Sequence, residues 1–387
     1  MNNFIYRNPT KVLFGKGMIA RIRSEIPANE KVLLLSGGGS IRENGVYEQV
    51  MGALEGFSVT EFSGIPANPT YEKCMEALAL VKNNDISFLL AVGGGSVIDA
   101  AKFIALARYS APGESPWEMM RNNAKAPSQA LPIGAVLTLP ATGSEWNSGF
   151  VISRLETNEK LTCGHFTVFP QFSVLDPETT FSLPKQQLRN GLVDCFVHVL
   201  EQYMTIPNHA PLQDRQAEAV LSTVIEIAED VMTLQNDYNS RASMMWCASQ
   251  ALNGLLNRGV IMDWATHDIG HRLTATYHLD HAATLAIILP GVWENQIVAK
   301  EAKLVQYGKR VWSLNGSNEE IAYAAIHATE EFFRKLGMGT HFSDYGIDGE
   351  VAAAKIAATY NGADQPILGE NRNINSTVIY SILKSRT

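Results

Sequence analysis

The stretch SFLLAVGGGS, residues 87–96, combines an uninterrupted apolar run with three consecutive glycines. The apolar run has the length and character of a β-strand that is buried on both faces of a parallel sheet. The residues that follow, VIDAAKFIALA at 97–107, are typical of a buried helix. The segment therefore predicts a strand, a tight glycine turn and a helix, which is the repeating unit of an α/β domain.

The same alternation extends on both sides of this stretch. Strand-like runs occupy residues 31–35, 57–62 and 132–138, and helix-like segments occupy 45–54 and 70–82. Short buried strands that alternate with helices favour an open sheet covered by helices on its faces. We therefore predict an α/β N-terminal domain with a mostly parallel, Rossmann-like sheet.

The pattern changes at residues 176–184, DPETTFSLP, where two prolines interrupt the chain. Strand-like runs are scarce beyond this point, and Pro184 suits the first turn of a helix. The helices predicted from there on include 184–205, 214–231, 238–257, 261–276, 282–296, 300–313 and 317–336. We therefore predict a domain border near residue 180, with an all-α C-terminal domain after it.

Composition excludes several classes of protein. The chain has 387 residues, a formal net charge of −8 and no run of Lys or Arg, so we expect no nucleic-acid or membrane partner. The N-terminus lacks the apolar core of a signal peptide, and no apolar run reaches the roughly 18 residues of a membrane helix. The four cysteines show no CxxC spacing. These features favour a cytoplasmic protein with reduced thiols.

Two glycine-rich turns follow predicted strands, GGGS at 93–96 and GGGS at 37–40. Glycine lets the backbone approach a ligand, and the helix N-terminus after the first turn offers free N–H groups to a pyrophosphate. Neither turn matches GxGxxG or GxxxxGK[ST], so a tight turn without a ligand is an equal alternative. The second turn offers Ser40 and Arg42 but no acidic residue before Glu43, which favours NADP(H) over NAD(H). A solvated surface charge is the alternative for Arg42.

A second set of polar residues is typical of a metal site. Asp194 and His198 lie at i and i+4 in the mostly apolar stretch 190–202, so they share one face of a helix. Four further histidines fall within fifteen residues, namely His267, His271, His278 and His281. One carboxylate and three imidazoles suit Fe²⁺ or Zn²⁺ with a position left open for a substrate oxygen. Spacing alone does not choose between His271 and His278 as the non-ligand.

Together these motifs resemble the iron-containing (group III) metal-dependent alcohol dehydrogenases over nearly the whole chain. The resemblance rests on GGGSVID at 93–99, TLPATGSE at 138–145, the Asp194/His198 helix and the segment with His267, His271 and His281. It is strongest with the branch of butanol dehydrogenases and NADPH-dependent aldehyde reductases. It implies a dinucleotide-binding α/β domain over residues 1–180 and a helical metal-binding domain over residues 181–387.

The resemblance also implies roles for individual residues. The metal-ligand positions match Asp194, His198, His267 and His281. His271 matches a neighbouring histidine that relays protons, and all five are candidate catalytic residues. The candidate cofactor contacts are Gly37, Gly38, Ser40, Asn68, Gly94, Gly95, Ser96, Asp99, Thr138, Thr142, Ser144 and Lys160.

The implied activity is hydride transfer between NADP(H) and short- to medium-chain aldehydes or primary alcohols, with Fe²⁺ or Zn²⁺ as a Lewis acid. NAD(H) is the less favoured cofactor, and a homodimer is the implied assembly. A sugar-phosphate cyclase resembling dehydroquinate synthase is the alternative enzyme. Its anionic substrate would need several Lys or Arg side chains in the cleft, and the stretch 190–202 contains no cationic side chain other than His198. A non-catalytic metal- or nucleotide-binding protein is the other alternative.

Two positions depart from the family pattern. Many members read Pro-His-Gly around the last ligand, where this chain has Asp280-His281-Ala282. Trp146 is bulkier than the small residue expected after Ser-Glu, so it either narrows the substrate pocket or packs between the domains. Trp264 and Phe150 are further candidate pocket walls, with ordinary core packing as the alternative for each.

Overall fold

The computed structural model describes residues 1–111, 113–122, 127–157, 159–362 and 365–387. The chain forms two compact units, neither of which is continuous in sequence. The α/β unit comprises Arg7–Pro184 and Gln235–Asn253, and the helical unit comprises Met1–Tyr6, Lys185–Leu234 and Gly254–Thr387. The functional assignment of residues 1–180 and 181–387 remains a prediction.

A six-stranded parallel sheet forms the centre of the α/β unit. Its strands are β1 Lys11–Phe14, β2 Lys31–Ser36, β3 Ser58–Phe62, β4 Phe88–Gly94, β5 Ile133–Leu139 and β8 Phe172–Leu175. The strands β6 Gly149–Arg154 and β7 Glu159–Gly164 form a separate antiparallel hairpin. The order of strands in the parallel sheet is β1-β8-β5-β4-β2-β3, with every neighbouring pair parallel. The predicted parallel sheet is therefore confirmed.

Helices make up most of the remaining described structure. In the α/β unit they are α1 Ile22–Glu25, α2 Ser40–Glu43, α3 Val46–Ala53, α4 Tyr71–Asn83, α5 Gly95–Ala107, α6 Pro116–Arg121 and α9 Tyr238–Leu252. In the helical unit they are α7 Lys185–Tyr203, α8 Pro211–Thr233, α10 Ala265–Tyr277, α11 His281–Asn295, α12 Ile297–Arg310, α13 Asn318–Lys335, α14 Gly349–Ala358 and α15 Ser376–Lys384. The predicted succession of helices after residue 180 is confirmed.

The core of the α/β unit explains why its central strand is apolar throughout. Leu89 and Ala91 of β4 belong to a core cluster on one face of the sheet. Phe88, Leu90 and Val92 belong to a second cluster on the opposite face. Successive side chains of a strand point to opposite faces, so a strand covered on both sides needs an apolar residue at every position.

The strand order places the two glycine-rich turns side by side. β2 and β4 are neighbours and run parallel from Val32 beside Phe88 to Ser36 beside Val92, so their carboxyl ends adjoin. The chain leaves β2 for β3 on one side and leaves β4 for β5 on the other, so the strand order reverses between them. Open α/β sheets bind their ligands at this kind of reversal.

Several elements of the α/β unit were not predicted from the sequence. The edge strand β1 and the strand β8 are only four residues long, and the hairpin of β6 and β7 lies outside the parallel sheet. The helix predicted over 238–257 ends at Leu252, and Gly254 follows with a φ of +87°. This helix belongs to the α/β unit although its sequence lies among the later helices.

Among the described residues, no single helix is long and apolar enough to cross a membrane. In the same part of the chain, α11 and α12 together reach the required length and apolar composition, with a bend of 112° between them.

Candidate active site

The first part of the site lies on α7, which buries every residue from Gly191 to Tyr203. A helix that is buried all round gives its polar side chains no access to bulk water, so they need partners within the protein. Asp194 is 4% exposed and His198 is 6% exposed. Their i, i+4 spacing places His198 Nδ1 3.6 Å from Asp194 Oδ1.

Two histidines from other helices meet the same carboxylate oxygen. His267 on α10 and His281, the first residue of α11, each place Nε2 3.8 Å from Asp194 Oδ1. The donor atoms of Asp194, His267 and His281 all lie within 4.8 Å of one another. The His198 ring borders this group and stacks on His267 with 4.5 Å between ring centroids. The fold thus brings all four predicted ligands together.

The donor set has the chemistry and spacing of a transition-metal site. Metal–ligand bonds of about 2.0–2.2 Å in a tetrahedron separate the donor atoms by roughly 3.3–3.6 Å. The separations of 3.6–3.8 Å from Asp194 Oδ1 to the three imidazole nitrogens are close to that range. Asp194, His267 and His281 therefore fit one divalent ion after a small contraction of the side chains, and His198 lies close enough to Asp194 to complete the set.

The remaining two histidines of the cluster lie at different places on α10. The His271 ring stacks on His281 with 5.2 Å between ring centroids and lies 6.2 Å from His267. His278 is the left-handed C-cap of α10, with a φ of +56°, and its side chain is exposed. The structure therefore places His271, and not His278, beside the candidate metal ligands.

One carboxylate in this site was missed by the sequence reasoning. Glu201 is fully buried on α7 and contacts His267 Nδ1 through Oε2. Burial alone would lower the pKa of His267, but the charges of Glu201 and Asp194 outweigh burial and raise it to about 9. The His267 ring thus lies where positive charge is favoured. The spacing of Asp194, His198 and Glu201, i, i+4 and i+7 on one helix face, was the signal that could have identified this residue.

The departure at Asp280 ties His281 to α7, the helix that carries Asp194 and His198. The Asp280 carboxylate accepts hydrogen bonds from the side chains of Gln186 at 2.6 Å and Asn190 at 3.0 Å, both on α7. Asp280 is also the N-cap of α11. Where other family members are expected to have proline, this chain therefore holds the start of α11 by side-chain hydrogen bonds.

The candidate pocket walls have different surroundings. Trp264 lies beside the histidines, with its ring centroid 5.4 Å from that of His267 and 6.3 Å from that of His198. Phe150 is only 1% exposed and belongs to the core of the α/β unit. Trp146 packs against Trp246 in the same unit, with ring centroids 5.2 Å apart. Of the three, Trp264 is the aromatic side chain at the candidate metal site.

The first glycine turn is closely packed at the start of α5. Gly94 is the N-cap of this helix, and Gly95 and Ser96 are its first two residues. A Cβ added to Gly95 would lie 2.9 Å from Cγ2 of Thr142, and one added to Gly94 would lie 3.1 Å from Cβ of Leu139. The loop after β5 thus covers the turn so closely that only glycine fits at Gly95, and the backbone N–H groups of α5 begin there.

Asp99 supports this turn through protein contacts. Its carboxylate accepts hydrogen bonds from the Ser144 hydroxyl at 2.6 Å and the Val151 N–H at 2.9 Å. Lys102, which sequence reasoning missed, is also fully buried and donates to Ser144 Oγ at 2.8 Å. Burial raises the pKa of Asp99, and burial lowers the pKa of Lys102 to about 8 although Asp99 opposes that shift. Thr138, the remaining predicted contact here, is a nearly buried residue of β5.

The second glycine turn and its neighbours lie at the carboxyl end of β2. An added Cβ at Gly37 would lie 3.7 Å from the side chain of Val97 in α5, so this turn lies beside the start of that helix. A Cβ added at Gly38 would meet no atom within 4 Å. Ser40 is the first residue of α2. Lys160 Nζ donates to Asn68 Oδ1 at 2.9 Å, which brings these two predicted cofactor residues together.

Comparisons with known proteins agree with this architecture. The model of the family "Iron-containing alcohol dehydrogenase" matches residues 9–177, and the model "Fe-containing alcohol dehydrogenase family, C-terminal" matches residues 190–387. The chain is 50% identical over 380 residues to the NADPH-dependent aldehyde reductase YqhD of Escherichia coli K12, covering 98% of each protein. It is 40% identical over 393 residues to the probable NADH-dependent butanol dehydrogenase 1 of Bacillus subtilis, covering 100% of each.

Solved structures give the same result. A crystal structure of E. coli YqhD superposes with a TM-score of 0.97 at 48% identity, covering 100% of this chain and 99% of the other. NADH-dependent butanol dehydrogenase A of Thermotoga maritima superposes with a TM-score of 0.94 at 34% identity, again covering 100% and 99%. The chain therefore belongs to the iron-containing alcohol dehydrogenase family, in its branch of aldehyde reductases and butanol dehydrogenases.

Proposed function

We propose that the protein is a metal-dependent alcohol dehydrogenase or aldehyde reductase that transfers a hydride between NADP(H) and short- to medium-chain aldehydes or primary alcohols. The observation that carries this proposal is the meeting of three imidazole nitrogens, from His198, His267 and His281, within 3.8 Å of one oxygen of Asp194. The E. coli and B. subtilis relatives, named as an aldehyde reductase and a probable butanol dehydrogenase, support it.

Asp194, His198, His267 and His281 would hold a divalent ion, Fe²⁺ or Zn²⁺. When bound, this ion supplies a Lewis acid that polarises a carbonyl or alcohol oxygen. His271 contacts the His281 ring and is only half-buried, so it can pass a proton between solvent and the product oxygen. Trp264, beside His198 and His267, contributes an apolar wall that suits an alkyl chain.

The α/β unit would hold the cofactor, whose nicotinamide supplies or accepts the hydride. The N-terminus of α5, opened by Gly94, Gly95 and Ser96, suits the pyrophosphate because its N–H groups are free of helix partners. The turn with Gly38 and Ser40 lacks an acidic residue, which favours a 2′-phosphate. The E. coli relative is named as NADPH-dependent and several butanol dehydrogenases as NADH-dependent, so the preference needs measurement.

Substitution of the candidate ligands tests the metal site. We expect Asp194→Ala and His267→Ala to lose both the bound metal and the reduction of butanal, measured by elemental analysis and by the absorbance of NADPH. His278→Ala is the matched control because this exposed histidine lies at the end of the same helix as His267. Full activity of a metal-free Asp194→Ala protein would contradict the proposal.

Cofactor and substrate are tested with the unmodified protein. Initial rates with NADPH and with NADH on a series of short aldehydes would give the cofactor preference and the chain length that is best accepted. Failure to turn over any aldehyde or alcohol with either cofactor would favour a non-catalytic metal- or nucleotide-binding protein. The sugar-phosphate cyclase alternative is not favoured, since relatives that match the whole chain are reductases and dehydrogenases.

A homodimer and a cytoplasmic location remain predictions. Sedimentation equilibrium of the purified protein would test the first, and fractionation of the producing cells would test the second.

A further inference from the structure

Glu201 joins two parts of the helical unit that meet at the candidate metal site. Its Oε1 accepts hydrogen bonds from the backbone N–H groups of Thr266 at 2.8 Å and His267 at 3.2 Å, both in the first turn of α10. Its Oε2 contacts Nδ1 of the His267 ring. A carboxylate at the N-terminus of a helix is stabilised by the free N–H groups there. One side chain of α7 thus fixes both the backbone and the ring of His267.

These contacts determine which ring nitrogen of His267 can bind a metal. Two backbone N–H groups donate to the Glu201 carboxylate and favour its ionised form, which only accepts hydrogen bonds, so Nδ1 carries the proton in the contact with Glu201. In the neutral ring the lone pair then lies on Nε2, the nitrogen that is 3.8 Å from Asp194 Oδ1. A ligating histidine that donates its other N–H to a carboxylate is fixed in both tautomer and orientation.

We propose that Glu201 is a positioning residue that fixes His267 as an Nε2 ligand of the metal. This inference rests on the proposed metal site formed with Asp194. It extends that site by a second carboxylate that does not touch the ion.

The charge of Glu201 has a second consequence for the site. The two carboxylates of Asp194 and Glu201, with neutral histidines, balance the charge of one divalent cation. The buried ammonium group of Lys300 is already 2.9 Å from Asp263 and 2.9 Å from Glu370, so its charge is matched there. Removing the charge of Glu201 therefore weakens the attraction of the site for a cation as well as the orientation of His267.

Glu201→Gln separates this role from a purely structural one. The glutamine carbonyl can still accept from Thr266 and His267, but its amide would donate to Nδ1 and so place the ring proton on Nε2, where the metal should bind. We expect the affinity for Zn²⁺, measured by competition with a chromogenic chelator, to fall about 10- to 100-fold. We also expect the visible absorption bands of the Co²⁺-loaded protein to shift, because they report the geometry of the ligands.

Two further variants complete the test. Glu201→Asp keeps the charge with a shorter side chain, and we expect it to recover part of the Zn²⁺ affinity. Glu218→Gln removes another buried carboxylate of the helical unit, one that pairs with Arg310 and Arg215, and we expect it to leave Zn²⁺ affinity and the Co²⁺ spectrum unchanged. Thermal unfolding of each variant in EDTA shows whether the metal-free protein is folded.

The outcomes are distinguishable from failure of the metal site itself. If the wild-type protein and Asp194→Ala bind Zn²⁺ equally weakly, the proposed site is wrong. If the wild-type protein binds Zn²⁺ tightly and both Glu201 variants match its affinity and Co²⁺ spectrum, only the role of Glu201 is wrong. Should Glu201→Gln unfold in EDTA, Glu201→Asp decides: its shorter side chain should move the His267 ring, so Zn²⁺ affinity and a Co²⁺ spectrum both equal to those of the wild-type protein would overturn the inference.

Discussion

Arg42 is held at the protein surface by two neighbouring side chains. Its Nη2 lies 2.5 Å from a carboxylate oxygen of Glu61, and its guanidinium lies 3.8 Å over the ring of Tyr47. The Tyr47 hydroxyl donates to the same carboxylate at 2.8 Å. Both members of the ion pair are exposed, and exposed pairs contribute little to stability. A paired surface arginine of this kind can exchange its weak partner for a phosphate.

Glu61→Gln tests the part that Arg42 plays in cofactor preference. The substitution removes the competing carboxylate and its repulsion of a 2′-phosphate, so we expect the KM for NADPH to fall by about 2- to 5-fold at low salt. The KM for NADH should not change, because NADH has no such phosphate. Glu48→Gln on the exposed side of α3 is the control. An equal change in KM for both cofactors would place Arg42 away from the 2′-phosphate.

At the scale of elements, the turn between β4 and α5 depends on the absence of side chains. An added Cβ at Gly95 would meet Cγ2 of Thr142 at 2.9 Å, whereas one at Gly52, inside α3, would meet no atom within 4 Å. The same substitution should therefore have opposite effects at the two positions. The lack of space at Gly95 should make alanine lower the free energy of unfolding there, whereas helix propensity should make alanine raise it at Gly52.

Gly95→Ala should lower the free energy of unfolding by about 1–3 kcal/mol, since overpacking displaces the loop after β5. We also expect a higher KM for NADPH, because the displaced loop carries Thr142 and Ser144. Gly52→Ala is the matched control and should raise the free energy of unfolding by up to about 1 kcal/mol. Urea unfolding measures both changes, and a Gly95→Ala protein of wild-type stability and KM would contradict the packing argument.

At the scale of the whole molecule, a buried charge cluster joins distant segments of the helical unit. Lys300 of α12 donates to the carbonyl of Met204 at 2.8 Å, to Asp263 at 2.9 Å and to Glu370 at 2.9 Å. Glu370 in turn accepts from the N–H of Ile206 at 2.9 Å. One ammonium group thus binds three segments: the one after α7, the one before α10 and the one before α15.

Lys300→Met should destabilise the protein strongly, because it leaves Asp263 and Glu370 buried without a cation. We expect a loss of about 3–5 kcal/mol in the free energy of unfolding, measured by urea titration. Lys309→Met removes an exposed lysine from the same helix and should change the stability by less than about 0.5 kcal/mol. Equal stability of the two variants would show that the cluster is not a source of stability.

The C-terminal segment is anchored by a pair that depends on pH. Glu330 Oε1 lies 2.6 Å from Arg386 Nη2, beside Thr340 and His341. Burial alone would raise the pKa of Glu330, but the hydrogen bond from Thr340 and the charge of Arg386 outweigh it, so its pKa lies below the usual 4.5. Burial, and then the charge of Arg386, also lower the pKa of His341 below 6.5.

Both shifts make the folded protein less stable as the pH falls. The unfolded chain binds more protons than the folded protein just below the ordinary pKa values of Glu and His, so acidification favours unfolding. We expect Glu330→Gln to lose about 1.5–3 kcal/mol at pH 7 and to approach the wild-type stability as the pH falls through the folded pKa of Glu330. Glu331→Gln, which removes an exposed carboxylate, is the control for urea unfolding between pH 7 and pH 3. A stability difference independent of pH would contradict the assignment.

The parallel sheet and the order of helices were predictable from local patterns, because burial on both faces of β4 requires an apolar residue at every position from Phe88 to Val92. Asp194 and His198 could also be placed on one helix face, since helical spacing depends only on neighbours in sequence. The strands β1 and β8 were not predictable, because four residues are too few for a recognisable period.

The sequence by itself thus determined the α/β pattern, the glycine turns and the family to which the chain belongs. Only the tertiary structure decided that His267 and His281 meet the same oxygen of Asp194, that His278 does not, and that Glu201 holds His267. It also decided that α9 belongs to the α/β unit, although its sequence lies among the later helices. The physical reason is that periodicity reports which face of an element is buried, whereas the partner of that face depends on contacts between residues far apart in the chain.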